Sequence, residues 1–146
     1  MITIRTASIT DLAAVAYLFD QYRQFYKQSE DIDGATVFLQ ERMEKNETVI
    51  LLALEDGEVV GFTQLFPIFS SVSMRKAWLL NDLFVQEDQR GKGIGTKLLD
   101  AAKQLGRNTE AKWLLLQTGA DNKTAQAVYE KNGWVREKDW FYQFSL

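Results

Sequence analysis

Leu83-Phe84-Val85-Gln86-Glu87-Asp88-Gln89-Arg90-Gly91-Lys92-Gly93-Ile94-Gly95-Thr96 carries an apolar, strand-like triplet through a glycine-spaced turn into a helical pattern. Glycines at 91, 93 and 95 keep side chains away from the turning backbone, so several N–H groups can converge on one anion. The segment behind them places Ile94, Leu98, Ala101, Ala102 and Leu105 on one helical face, and the positive end of that helix favours an anion too. Arg90, Lys92 and Lys97 supply cations nearby, and the Thr96 hydroxyl can donate to a phosphate oxygen. A Walker loop needs four residues between its glycines and then Lys before Ser or Thr; here three separate Gly91 from Gly95 and the order is Thr96-Lys97. A dinucleotide fingerprint needs a glycine where Thr96 stands, after the first strand of a βαβ unit. Both nucleotide readings fail, and a pyrophosphate on another carrier fits.

On either side the chain alternates strand and helix signals. Ile2 to Arg5 reads as a strand, and Ser8-Ile9-Thr10-Asp11 as a capping box before the helical spacing Leu12, Val15, Ala16, Phe19, which runs to about Tyr26. A polar break at Ser29-Glu30-Asp31 precedes a second helix over Ala35 to Lys45. Thr48 to Leu54 and Val59 to Phe66 pair across the Asp56-Gly57 turn, and Pro67 should end or bulge the second strand. Ala77 to Val85 is a strand, Trp113 to Thr118 another, and Asn122 to Asn132 a helix closed by Gly133. Trp140 to Phe144 alternates as a final strand. The order β-α-α-β-β-β-α-β-α-β is that of an α/β domain with a mixed sheet.

Composition bounds the reading further. At 146 residues with 46% hydrophobic content, one domain spanning 1–146 is expected. A net charge of -3 argues against a nucleic-acid partner and is compatible with cationic substrates. Cysteine and histidine are both absent, which removes thiolate chemistry, the usual general base and the commonest transition-metal ligands. No metal is expected, and any proton transfer falls to carboxylates, tyrosines or backbone. No apolar segment approaches membrane-spanning length and the N-terminus lacks a signal-like pattern, so a cytoplasmic protein with no membrane partner is expected.

Arg90 to Gly95 resembles the Gln/Arg-x-x-Gly-x-Gly/Ala motif of the GNAT N-acetyltransferase superfamily, and Tyr129-Glu130-Lys131-Asn132-Gly133-Trp134, with Asn122 and Ala125 before it, resembles the family's Tyr-Glu-Lys-x-Gly-Phe block. The element order is similar to the family's along the whole chain. Within the family, Trp78 to Val85 looks closest to polyamine acetyltransferases and histone-acetyltransferase-like bacterial members. The resemblance implies a mixed, mostly antiparallel sheet, splayed at the acetyl-CoA site and flanked by helices. It implies an acetyl-CoA-dependent N-acetyltransferase acting on a primary amine, a small amine or polyamine, by direct attack in a ternary complex. A protein or peptide acetyltransferase, or a non-catalytic acyl-CoA-binding module, are the alternatives.

By the same resemblance, Leu83, Phe84 and Val85 would bind the pantetheine arm through their backbone. Arg90, Gly91, Lys92, Gly93, Ile94, Gly95 and Thr96 would hold the pyrophosphate, and Asn122 the arm from the other side. Tyr129 stands at the family's general acid. Related polyamine enzymes carry Glu where this chain has Asn81, which leaves Asp82 as the nearest replacement base, although strand alternation can turn it inward. Glu30 and Asp31 fall in a region that walls the family's acceptor site and could bind a cationic acceptor. Tyr22, Phe25 and Tyr26 offer aromatic faces to an ammonium group, and Trp78, Gln64 and Phe66 are further pocket-wall candidates. Family members often dimerise, and an exposed final strand offers an edge for pairing.

Overall fold

The computed structural model describes residues 1–146. Strand β1 (Ile2–Thr6) leads through a 3-10 turn at Ile9–Asp11 into α1 (Leu12–Phe25) and α2 (Ile32–Glu44). Strands β2 (Val49–Glu55), β3 (Glu58–Ser70) and β4 (Arg75–Val85) follow, then α3 (Ile94–Asn108), β5 (Leu114–Leu116) and α4 (Lys123–Lys131). The strands lie side by side in sequence order; β1 to β4 pair antiparallel, and β5 runs parallel to β4. This is the mixed, mostly antiparallel sheet of the expectation.

Local signals account for most boundaries. The Asp11 carboxylate accepts from the Ser8 N–H at 2.8 Å and pairs with Arg5 at 2.8 Å, and the Arg5 hydrogen bond is the main reason its pKa falls to about 2. Asp56 and Gly57 both take positive φ, 51° and 86°, the conformation of a type I′ hairpin turn. Helix α2 starts three residues before the apolar spacing suggests, because the Asp31 side chain accepts from the Gly34 N–H at 2.9 Å and caps it. Pro67 does not end β3. The last β2 pairing is Val49 with Leu65, so Pro67 lies beyond the end of β2 and its missing N–H costs no ladder bond there; on the other side it pairs with Trp78, whose own N–H turns to Trp113 on the far side.

Strand β2 reads as an unbroken apolar run because the sheet is covered on both faces. On one face Leu52, Phe62 and Phe84 pack against Val15, Leu18 and Phe19 of α1 and Leu39 of α2. On the other, Leu51, Leu65, Trp78 and Leu80 pack against Ile94, Leu98, Leu99 and Ala102 of α3. Leu98 is fully buried, and truncating such a leucine to Ala costs about 2–5 kcal/mol.

Two expectations at the C-terminal side are corrected. Strand β5 is limited to Leu114–Leu116, so only Trp78, Leu79 and Leu80 of β4 have a partner on that side. From Asn81 onward β4 diverges with that edge open. Trp140 to Phe144 forms no strand, and every residue from 135 to 146 is exposed. Alternation makes a segment able to pair but does not by itself bring it to a partner strand.

Candidate active site

The glycine stretch sits where β4 diverges from β5. After the 3-10 turn Glu87–Gln89 the backbone takes left-handed conformations at Gly91 (φ 82°) and Gly93 (φ 77°), and Gly93 is the N-cap of α3. A Cβ is disfavoured at both positions, which is why the turn needs glycine there. The first α3 backbone bond runs from the Lys97 N–H to the Gly93 carbonyl, so the N–H groups of Ile94, Gly95 and Thr96 precede the helical ladder. They form the positive end of a 15-residue helix.

These groups open on a cavity of about 370 Å³. Its walls bring together Leu83, Phe84 and Val85 of β4, Arg90, Gly91, Gly93, Ile94, Gly95 and Thr96 of the turn, and Asn122 and Tyr129 of the α4 side. Gln89 and Thr118 also line it; nothing in their local sequence marked them. The Asn122 side chain accepts from the Ala125 N–H at 3.2 Å and so caps α4 while facing the cavity. Burial, and then Tyr26, push the Tyr129 phenol above its ordinary pKa, so it keeps its proton. Arg90 donates through Nε to the Val85 carbonyl at 2.9 Å, with its guanidinium over Phe84 and Phe25. Lys92 stands apart. It is absent from the cavity wall, and its Nζ lies 2.7 Å from Gln89 Oε1 and 3.3 Å from Glu55 Oε2.

A second cavity, of about 520 Å³, adjoins the first, and Tyr22 and Tyr26 line both. Its floor depends on an irregularity in β4. Gln64 pairs with Asp82 and Leu65 with Leu80, so Asn81 is an extra residue in the ladder. Trp78 and Leu80 pack on the α3 face; the inserted residue reverses the phase, and Asp82 and Phe84 turn to the α1 face while Leu83 and Val85 pack on the α3 side. Without the bulge Asp82 would be driven into the α3 core.

Asp82 is 3% exposed. Its carboxylate accepts from Gln64 Nε2 and from Asn81 Nδ2 (3.0 Å), while the Tyr22 hydroxyl donates to the Asn81 carbonyl at 3.2 Å. Thr48 donates to Gln64 Oε1 at 2.8 Å, which fixes the amide with its nitrogen toward Asp82. Burial raises the Asp82 pKa above its ordinary 3.8, and the hydrogen bonds from Gln64 and Asn81 oppose that shift. Phe19, Phe38 and Phe66 supply the aromatic wall. Arg23 also lines the cavity, but its guanidinium is engaged by the buried Asp20 at 2.9 Å. Asn81 is exposed and lines the cavity beside Asp82.

The other acceptor-side candidates separate. Tyr26 reaches both cavities. Glu30 is exposed and lines neither, whereas its neighbour Asp31 lines the second. Trp78 is 4% exposed on the α3 face, donating from its indole to Thr109 Oγ1 at 2.9 Å, and it too lines neither cavity.

The sheet thus opens beside a glycine turn at a helix N-terminus, with a buried carboxylate in the adjoining cavity. Residues 13–134 match the model of the acetyltransferase (GNAT) family. The chain is 52% identical over 134 residues to an uncharacterised N-acetyltransferase, YhfO, of Bacillus subtilis, covering 92% of this chain and 90% of that one. A probable acetyltransferase of Haemophilus influenzae is 32% identical over 131 residues, 88% of each chain. The crystal structure of a probable acetyltransferase superposes with a TM-score of 0.91 at 39% identity, over 99% of this chain and 96% of the other. The chain belongs to the GNAT family and is an N-acetyltransferase. Enzymes of this family use acetyl-CoA as cosubstrate. No helix is long and apolar enough to cross a membrane.

Proposed function

We propose that this chain acetylates a small cationic primary amine, with acetyl-CoA in the first cavity and the amine in the second, and that Asp82 accepts the amine's proton. The carrying observation is the Asp82 carboxylate, buried at the wall of an aromatic cavity and held by Gln64 and Asn81. The first cavity fits the donor by its unladdered N–H groups and left-handed glycines: Gly91 and Gly93 to Thr96 would hold the pyrophosphate, and Leu83 to Val85 with Asn122 the arm. Acetyl-CoA supplies the acetyl group as a thioester.

An amine with a pKa near 10.4 is about one part in a thousand neutral at pH 7, so attack requires a proton acceptor. Asp82 suits that role because burial raises its pKa toward that of the amine. As a carboxylate it also attracts the incoming ammonium group, and the faces of Tyr22, Tyr26 and Phe66 favour a cation. Backbone N–H groups of β4 on its open side, beyond Leu80, are available to a developing oxyanion. Tyr129 retains its proton and is a donor on the opposite wall.

The test is thiol release from acetyl-CoA across polyamines, amino acids, aminoglycosides and peptides. Turnover confined to small amines carrying a positive charge is expected. Turnover only with neutral amines or with peptide N-termini would overturn the acceptor class.

A further inference from the structure

Asn132 closes the C-terminal end of α4 and lines neither cavity, yet its side chain reaches the turn that lines the first. Its backbone is held from both helices. The N–H donates to the Val128 and Tyr129 carbonyls at 3.2 and 3.0 Å, and the carbonyl accepts from Lys103 of α3. Its side-chain nitrogen Nδ2 lies 2.8 Å from the Val128 carbonyl oxygen and 3.3 Å from Oγ1 of Thr96, in the first turn of α3.

The Val128 carbonyl decides which way that amide faces. A backbone carbonyl only accepts, so the amide atom beside it must be the nitrogen, and the same nitrogen then stands opposite Thr96. One amide hydrogen goes to Val128 and the other to Thr96 Oγ1, which is therefore the acceptor of that bond. A hydroxyl also has one hydrogen to donate. Thr36 and Thr109 donate theirs to a carbonyl one turn back, each at 2.8 Å, as helical threonines can. Thr96 donates to no protein group, and it lines the first cavity.

We infer that Asn132 is a positioning residue for the donor: by donating to Thr96 Oγ1 it leaves the Thr96 hydroxyl hydrogen for a phosphate oxygen of acetyl-CoA in the first cavity. The inference rests on the seat proposed above for the pyrophosphate. Asn132 also polarises the hydroxyl, since bonds in a hydrogen-bonded chain strengthen one another. A donor aimed before the ligand arrives has less freedom to lose on binding.

The test is acetyl-CoA affinity, by calorimetry, in a double-mutant cycle. Thr96→Val removes the hydroxyl and keeps the shape, and should cost about tenfold, the scale of a hydrogen bond to a charged group. Asn132→Asp also keeps its shape, but its carboxylate accepts from Thr96 and draws the hydrogen out of the cavity, so a loss of about tenfold or more is expected. In the Thr96→Val background the same Asn132→Asp change should cost no more than about threefold, the part due to charge alone. Thr96→Ser, which keeps the hydroxyl, should retain both wild-type affinity and the full sensitivity to Asn132→Asp. Equal losses from Asn132→Asp with and without the hydroxyl would overturn the inference, as would unaltered affinity in either single variant. Gly95→Leu, whose side chain enters the same space, separates the two levels of failure. Lost affinity there with none lost in Thr96→Val would remove Thr96 and Asn132 from donor binding and leave the phosphates on the turn, whereas unaltered affinity in both would remove the phosphates from the turn as well.

Discussion

The first cavity takes its backbone polar groups from one continuous stretch, Leu83 to Thr96, and is closed from the α4 side by the Asn122 and Tyr129 side chains. The second takes its polar groups from side chains on α1, β3 and β4 and in the segment between α1 and α2, and its central acid is held by Gln64, which is held in turn by Thr48 at the entrance to β2. Backbone N–H groups at a helix end bind whatever phosphate arrives, independent of what is attached to it. An assembled carboxylate within an aromatic wall discriminates by charge and shape. On the proposed assignment of the two cavities, donor binding is robust to most side-chain change, whereas acceptor chemistry hangs on a few contacts between distant residues.

Asp82→Asn should break that contrast most sharply. Thiol release is expected to fall by about 10²–10⁴-fold, the usual contribution of a general base, with acetyl-CoA affinity retained by calorimetry. The fold should hold. Gln64 can reverse its amide, accept from the new Asn and donate to Thr48, whose hydroxyl can turn to the Leu65 carbonyl at 3.3 Å. Equal turnover would remove Asp82 from the mechanism.

Gly95→Ala separates ligand space from backbone need. Gly95 lies within α3 at ordinary φ, and a Cβ there meets no protein atom within 4 Å, so the alanine should stabilise the helix by about 0.5–1 kcal/mol. The family's motif admits Ala at this place, so acetyl-CoA affinity should stay within about threefold, whereas the longer side chain of Gly95→Leu projects where the donor's phosphates are proposed to sit and should cost about tenfold, or 1.4 kcal/mol. Unaltered affinity in Gly95→Leu would move the pyrophosphate elsewhere. Gly93 is a less clean probe because its φ of 77° strains any replacement.

Tyr129→Phe should lower kcat less than about tenfold, since a phenol raised above its usual pKa of 10 is a weak proton donor to a leaving thiolate whose conjugate acid has a pKa of about 8.5. A loss of a hundredfold or more would make it essential. Lys92→Ala should be smaller still, changing acetyl-CoA affinity within about threefold, because its ammonium is exposed and engaged by Gln89 and Glu55. A tenfold loss would show that Lys92 swings into the first cavity when ligand binds.

The two cavities also differ in how far sequence discloses them. Local spacing located the glycine turn, the helix behind it and the hairpin at Asp56-Gly57, because each depends on contiguous residues. The second cavity was only partly legible. Asp82 was a candidate for its proximity to Asn81, but its direction depends on a bulge visible only once β3 and β4 are in register. Trp78 was misplaced for the same reason: it lies before the bulge and so faces α3. Of the pair Glu30 and Asp31, only Asp31 lines the second cavity, where it caps α2. Thr48 and Gln64 are 16 residues apart and meet only across the sheet.

The most direct measurement is kcat/KM against pH, for the wild type and for residual activity in Asp82→Asn, with a small cationic amine. A buried carboxyl whose pKa is raised in the folded state becomes a base only above that value, so activity should climb through an acid limb lying above 3.8. The same shift favours the fold at low pH, and that contribution is lost as pH rises through the folded pKa. The limb is expected in the wild type and absent from Asp82→Asn, with the amine's own titration near pH 10 common to both. The same acid limb in both proteins would contradict proton transfer to Asp82.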